Sequence, residues 1–220
     1  MMDTGIPAEG SILLINKPLR WTSFDVVNKL RYKLKTKKVG HAGTLDPLAT
    51  GLLIVCVGKM TKRIADFMGQ EKEYTGKFVL GQTTPSYDLE TAVSTEKDIS
   101  KISSVMIHAA TQSFMGKINQ LPPMHSAIRV GGKRAYEFAR QGKEVELKPR
   151  EIEIKEFEIT SITLPEVHFR IVCSKGTYIR SIARDFGNAL HVGAYLASLC
   201  RTRIGNFKLD DAVSIDEVVL

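Results

Sequence analysis

A carboxylate on a stiffened loop, with a histidine close by, is the most informative chemical arrangement in this sequence. It lies in Gly40-His41-Ala42-Gly43-Thr44-Leu45-Asp46-Pro47-Leu48-Ala49-Thr50-Gly51. Gly40, Gly43 and Gly51 permit tight turns and close backbone approach to a ligand. Pro47 restricts Asp46 to extended backbone geometry. An ionised carboxylate is thus offered from a fixed position just before an apolar run. The same Asp-Pro pair also suits a purely structural role, in which Asp46 caps a helical turn with Pro47 at its first position. A metal-dependent nuclease centre is disfavoured, because no second carboxylate accompanies Asp46 in the loop. Gly58-Lys59 is not a phosphate-binding loop either. It lacks the glycine five residues upstream and the Ser/Thr after the lysine.

Several elements must position this loop. Ser11 to Ile15 reads as a buried strand. Thr22 and Asp25 form a capping-box pair ahead of Phe24, Val27 and Leu30, which predicts a helix near 23–34. Its end is basic, with Arg31, Lys33, Lys35, Lys37 and Lys38. Gly40 to Gly51 reads as a loop and Leu52 to Val57 as a strand. Thr61 is placed to cap a helix through Met68, with Gly69 as its stop. A strand is expected over Lys72 to Gly81, then irregular chain over 82–97. A helical stripe follows over 98–114, on Ile102, Val105, Met106, Ala109, Ala110 and Phe114. Asn119 to Gly132 has a polar, exposed composition, and Lys133 to Arg140 reads as a short helix. Strands are expected near 144–160 and 166–174, and helices over 177–190 and 194–200. Mixed elements without regular alternation indicate an α+β fold in one domain, 1–220.

Composition sets the outer limits. The 220 residues are 43% hydrophobic and 25% charged, as in ordinary globular proteins. Lys and Arg number 31 against 24 acidic residues, for a net charge of +7 and a pI near 9.3. That suits a polyanionic partner, although a lysine excess also simply aids solubility. Cys56, Cys173 and Cys200 are widely spaced and odd in number, so neither a disulfide framework nor a metal site is expected, and each reads as core filler. No signal-peptide pattern is visible, and runs such as Leu52 to Val57 are too short for a bilayer. The cytoplasm is the expected compartment.

The Gly40–Gly51 segment resembles the GH-x-G-x-LDP-x-ATG-x-L motif of the TruB family, bacterial tRNA pseudouridine(55) synthases. Asn16-Lys17-Pro18 with Trp21-Thr22-Ser23-Phe24-Asp25-Val26-Val27 is similar to the family's N-terminal signature. Lys72-Glu73-Tyr74, on a strand ending Leu80-Gly81-Gln82-Thr83-Thr84, resembles its tyrosine-bearing strand. Gln120-Leu121-Pro122-Pro123, Ser126-Ala127, Gly132-Lys133-Arg134-Ala135-Tyr136 and Ala139-Arg140-Gln141-Gly142 look like its mobile RNA-gripping insertion, about 119–143. Cys173-Ser174-Lys175-Gly176-Thr177-Tyr178-Ile179-Arg180-Ser181 is similar to its second active-site segment. These motifs cover about residues 10–210 in the family's order, which chance does not readily produce. Some positions depart. Arg20 stands where the family commonly has glycine. Pro85 and Thr91 replace an aspartate and a glycine, so the 85–91 loop is expected to contact RNA differently. Arg129 replaces a lysine and Cys200 an arginine. The length leads to the expectation of a short member without the C-terminal PUA-type appendage.

The resemblance implies the pseudouridine synthase fold, a large, mostly antiparallel mixed sheet flanked by helices with a catalytic cleft. It implies no cofactor and no metal. The implied activity is isomerisation of uridine 55 in the T-loop of tRNA, with the target base flipped out of its stack. Asp46 is the implied catalytic carboxylate, acting either on ribose C1′ as a nucleophile or on the C2′ proton as a base. Arg180 is implied to pair with Asp46, Tyr74 to stack on the uracil, and Tyr178 and Leu199 to wall the pocket. His41 is implied to fill the space the base leaves, and Lys17 to lie near the phosphates or the pocket rim. Without the resemblance, Tyr74 and Leu199 would read as packing residues and Arg180, Lys17 and His41 as surface groups. Phosphate contacts are expected from Arg31–Lys38, Lys59–Arg63, Lys133/Arg134 and Arg201/Arg203. A monomer acting on the T-arm is expected. The rival reading is a noncatalytic tRNA-binding or tRNA-folding protein on the same scaffold. A further alternative is a relative directed to ribosomal RNA or guided by a partner RNA.

Overall fold

The computed structural model describes residues 9–126, 128–139, 141–143 and 145–218, with the Arg129 side chain also outside the description. Expectations at Ala127, the Arg129 side chain, Arg140 and Glu144 therefore lie outside the described residues. In chain order the elements are β1 (Ser11–Lys17), α1 (Ser23–Lys33), β2 (Val39–His41), β3 (Ala49–Val57), α2 (Ile64–Met68) and β4 (Lys72–Leu80). There follow β5 (Gln82–Thr83), β6 (Thr95–Glu96), α3 (Ser104–Thr111), β7 (Gly116–Gln120), β8 (Arg129–Val130), β9 (Lys133–Arg134) and α4 (Ala135–Ala139). The last are β10 (Arg150–Thr163), β11 (Glu166–Cys173), α5 (Ile179–Ala189), β12 (Ala194–Ile204) and β13 (Phe207–Lys208). The class is α+β. The chain divides into two compact units, Met1–Thr75 with Leu199–Leu220, and Gly76–Ser198.

In the first unit, β3 is the organising strand. It pairs antiparallel with β1 (Leu14↔Ile54) and with β2 (Val39↔Val57), and parallel with β12 (Arg201↔Gly51). Its side chains are buried on both faces, so it reads in sequence as an unbroken apolar run rather than an alternating one. Leu53, Val55 and Val57 pack with Val26, Val27 and Leu30 of α1, whereas Leu52, Ile54 and Cys56 pack with Phe67 and Ile204. The predicted capping box starts α1. Thr22 Oγ1 accepts from Asp25 N–H at 3.0 Å, and the Asp25 carboxylate accepts from Thr22 N–H at 2.8 Å. Two local expectations change. His41 ends a short strand rather than lying in a loop. Residues Gly58–Arg63 form a 3-10 turn, in which the Thr61 hydroxyl donates back to the Gly58 carbonyl instead of capping a helix.

In the second unit, β10 pairs antiparallel with β11 and with β7. Phe78, Phe114, Phe157, Phe169 and Phe186 form one aromatic cluster, with Phe78 and Phe169 stacked at 4.2 Å between ring centroids. Helix α5 buries Ile179, Ile182, Ala183 and Phe186. At Gly187 a Cβ would lie 2.1 Å from the Ala194 nitrogen, so only glycine permits this approach of α5 to β12.

Three expectations are corrected in this unit. The helix expected over 98–114 is only Ser104–Thr111. Ser103 caps it, its hydroxyl accepting from Met106 N–H, and a 3-10 turn follows over Gln112–Phe114. Val105 and Met106 are exposed, so the apolar stripe is narrower than read. The helix expected over 194–200 is strand β12, because pairing with neighbouring strands outweighs the helical preference of Ala and Leu. The exposed look of 119–132 fails at Gln120, Pro122, Pro123 and Ser126, which are buried. Among the described residues, no helix is long and apolar enough to cross a membrane.

Candidate active site

The Asp46 loop is held from several sides within the first unit. Lys17 is wholly buried at the end of β1. Its ammonium donates to the Trp21 carbonyl at 2.6 Å and the Pro18 carbonyl at 2.9 Å, and it reaches the Pro47 carbonyl at 3.5 Å. Arg20 N–H donates to the same Pro47 carbonyl at 2.7 Å, and Ala49 N–H to the Asp46 carbonyl at 3.0 Å. The Ser23 hydroxyl bonds both Leu45 backbone groups, accepting from N–H at 2.9 Å and donating to the carbonyl at 3.2 Å. Asp46 itself is half-buried, followed by a turn at Pro47 and Leu48. No helix follows Asp46; a single turn does, with Pro47 at its first position.

This burial corrects the expectation for Lys17. It is not a rim group open to phosphates but a charged staple between β1 and the Asp46 loop. Burial pushes its ammonium down to about 8, opposed by the nearby Asp46 carboxylate and assisted by the Arg201 guanidinium. Arg201 is likewise no phosphate ligand. It is buried, donating to the Leu52 carbonyl at 2.8 Å and the Gly43 carbonyl at 3.1 Å, so it ties both ends of the loop to β12. Gly51 is required beside it, because a Cβ there would sit 2.4 Å from the Arg201 carbonyl oxygen, at a φ of +99°. Arg203 is also engaged, paired with Glu71 at 2.8 Å.

His41 lies at the other end of the same loop, where Ala42 N–H donates to the Ile54 carbonyl at 2.8 Å. Burial, then the Arg201 charge, push the His41 imidazole below its ordinary value, against a backbone interaction with Gly43. Tyr74 is buried on β4. Leu199 is buried on β12, aligned with Ala49, and its carbonyl accepts from the Thr50 hydroxyl at 3.4 Å. Lys17, His41, Asp46, Tyr74 and Leu199 thus all belong to the first unit.

Tyr178 and Arg180 belong to the second unit, at the start of α5. Arg180 is buried, and its Nε lies 3.6 Å from Asp88 Oδ2. Asp88 is a buried partner of Arg180 that the sequence reading passed over. Its other oxygen accepts from Glu90 N–H at 3.0 Å, and its carbonyl accepts from the Thr84 and Ser86 hydroxyls. In the loop at 85–91, expected to contact RNA, Ser86 and Asp88 are buried, whereas Pro85, Leu89 and Glu90 are exposed. The signal available in sequence was the run of Thr84, Ser86 and Thr91 hydroxyls around one aspartate, the composition of a turn built on side-chain bonds.

Of the other expected phosphate contacts, Arg31 and Lys33 are half-buried, Arg31 donating to the Val39 carbonyl at 3.0 Å and Lys33 to the Ile215 carbonyl at 3.1 Å, and the rest are at the surface. Lys35, Lys37, Lys38, Lys59, Lys62, Arg63, Lys133 and Arg134 are exposed. Gly58 N–H donates to the Lys38 carbonyl at 2.8 Å, which brings the 35–38 turn beside the 58–63 turn within the first unit. Two clusters well apart in sequence thus lie on neighbouring turns, and charge of this sign suits a phosphate backbone.

The fold aligns with that of a solved Cbf5-Nop10-Gar1 complex at a TM-score of 0.74 and 29% identity, over 96% of this chain and 53% of that one. It also aligns with an H/ACA RNP bound to a substrate RNA containing 2′-deoxyuridine, at a TM-score of 0.71 and 27% identity, over 96% and 52%. The chain spans about half the length of those solved chains. Residues 31–179 match the model of the TruB family pseudouridylate synthase (N terminal domain). The chain is 54% identical to a tRNA pseudouridine synthase B of Flavobacterium johnsoniae, over 94% of this chain and 93% of the relative. It is 50% identical to one of Chlorobaculum tepidum, over 100% and 95%. The chain belongs to the TruB family of pseudouridylate synthases, which are isomerases, and its α+β architecture is the pseudouridine synthase fold.

Proposed function

We propose that this chain converts uridine 55 in the T-loop of tRNA to pseudouridine, with Asp46 as the catalytic carboxylate. The observation that carries the reading is the immobilised Asp46 loop, tied down by Lys17, Arg20, Ser23 and Arg201. Relatives near half identity over nearly the whole chain, each named a tRNA pseudouridine synthase B, support the choice of RNA.

The reaction is an isomerisation. The N1–C1′ bond breaks, the uracil turns, and C5 bonds to C1′. C5 gives up its proton and N1 gains one, so nothing is oxidised or reduced. Asp46 acts on the sugar as an ionised group, by attack at C1′ or by removal of the C2′ proton. A fixed loop suits either role, because a carboxylate already aimed needs no reorganisation during the reaction. The base is extruded at a cost of about a few kcal/mol, and an aromatic face such as that of Tyr74 returns about 1–3 kcal/mol by stacking. By the same reading His41, Tyr178, Arg180 and Leu199 are substrate-binding residues. The enzyme works as a cytoplasmic monomer, recognising the T-arm by shape.

The test uses unmodified tRNA and an isolated T-arm minihelix, with pseudouridine mapped by position. Product at residue 55 in both RNAs is expected. Binding without any product would favour the noncatalytic tRNA-binding reading. Product only at other positions, or only in ribosomal RNA, would overturn the assignment of substrate.

A further inference from the structure

Tyr178 sits where strand β11 has ended and α5 has not begun, and it is the N-cap residue of α5. Its own side chain makes no capping bond. The strap from 174 to 178 is fixed at its first end by β10. Ser174 N–H donates to the Glu153 carbonyl at 2.8 Å, and Glu153 N–H donates to the Ser174 hydroxyl at 2.9 Å. At its other end the strap is held by the Gln120 side chain. The Gln120 amide accepts from Tyr178 N–H at 2.8 Å and donates to the Tyr178 carbonyl at 3.1 Å. Gln120 is 2% exposed and is the last residue of β7, paired with Arg150 of β10. Both ends of the strap are thus referred to one strand pair, β7–β10.

The next residue extends the attachment. The Leu121 carbonyl accepts from the Ser181 hydroxyl at 2.8 Å and from Arg184 Nη2 at 3.3 Å. The Arg184 guanidinium also bonds Asp185 and lies 5.0 Å from the centroid of the Tyr87 ring, next to Asp88. The root of the segment that follows β7 is therefore bolted to the first turns of α5, the turns that carry Tyr178 and Arg180.

We propose that Gln120 is a positioning residue for the isomerisation. Through its paired bonds to the Tyr178 backbone it sets where Tyr178 and the start of α5 stand. It couples the segment after β7 to those groups, and this inference rests on the reading of Tyr178 as a substrate-binding residue. An amide is the side chain suited to the task, because it offers one acceptor and one donor side by side to one residue's N–H and C=O. Glutamate at neutral pH keeps the acceptor and loses the donor, presenting a negative oxygen to the Tyr178 carbonyl. A protonated glutamate restores both. Removing the amide deprives the Tyr178 N–H of this acceptor, leaves the Tyr178 carbonyl with the Ile182 N–H at 3.1 Å and lets the strap drift, and displacement of a pocket wall by about 1 Å can cost up to about 100-fold in turnover.

The test compares wild type, Gln120→Met and Gln120→Glu on unmodified tRNA, reading kcat, KM and tRNA affinity separately between pH 5.5 and 8. Only preparations with an active wild type bear on this inference, so inactivity of wild type counts against the reading of function instead. Expected are a fall in kcat of about 10- to 100-fold in both variants and an affinity for tRNA within about twofold of wild type. The deficit of Gln120→Glu relative to wild type should shrink as pH is lowered, and that of Gln120→Met should not. Wild-type kcat in either variant would overturn the proposal, and so would a loss confined to affinity. Should the variants fail to fold, amide exchange of the wild-type protein decides. Slow exchange at Tyr178 N–H supports the clamp, and exchange as fast as in an open loop overturns it.

Discussion

Arg20 adopts a φ of +67°, the left-handed region that favours glycine, while its N–H holds the Pro47 carbonyl. This is the position at which the family resemblance leads one to expect glycine. The turn is kept and the arginine bears the strain. Arg20→Gly is expected to raise stability by up to about 1 kcal/mol in thermal or urea melts, the relief of strain outweighing the extra freedom of the unfolded chain. A loss of stability would contradict this account of the turn. His41 gives a pH prediction. Folding holds its imidazole below the ordinary value of 6.5, so the unfolded chain binds that proton more readily. Its contribution is complete above about pH 6.5 and is lost as pH falls from there. Wild type should therefore lose more stability than His41→Gln between pH 7.5 and 5.5, and equal losses would exclude a buried, neutral His41. At this scale the sequence makes the Asp46 loop legible, because its glycines and proline are local backbone signals. It does not reveal Arg201, Lys17 or Asp88. Each is a charged residue whose partners are backbone carbonyls or an arginine far along the chain, and isolated sequence gives charged residues a surface reading.

Among the elements, the aromatic cluster around Phe186 dominates the second unit. Phe186 lies within 5.6 Å, centroid to centroid, of both Phe78 and Phe157. Phe186→Ala should cost about 3–5 kcal/mol in urea unfolding, as expected of a large cavity in a close-packed core. A cost under about 1 kcal/mol would mean that the cluster collapses to fill the space. The same helix shows why some elements read correctly from sequence and others do not. Helices α1 and α5, and strands β3, β10 and β11, carry their signals within themselves, as caps, periodicity or unbroken β-branched runs. Strand β12 does not. Its Ala-Tyr-Leu-Ala-Ser-Leu start is as suitable for a helix, and only its strand partners decide. Gln120, Pro122 and Pro123 mislead in the opposite sense, since polar and proline-rich chain is buried when its groups are satisfied by a neighbouring element.

For the molecule as a whole, part of the excess positive charge is gathered on two neighbouring turns of the first unit. Lys37 and Lys38 on one turn adjoin Lys59 and Lys62 on another, through the β2–β3 pairing and the Gly58 to Lys38 bond. Replacing these four by glutamine should weaken tRNA binding at low salt. It should also flatten the dependence of log affinity on log salt by about 0.7–0.9 for each phosphate no longer neutralised, read by titration between about 50 and 200 mM salt. An unchanged slope would assign phosphate neutralisation to other lysines. Basic residues already occupied, such as Arg201 and Arg203, are expected to leave the slope unaltered. The central claim concerns one carboxylate, and release of tritium from C5 of uridine-labelled tRNA by wild type and by Asp46→Asn tests it most directly. Tritium should be released by wild type alone, with the variant still binding tRNA to within a few-fold. Release at comparable rates from both proteins would contradict the claim that Asp46 carries the chemistry.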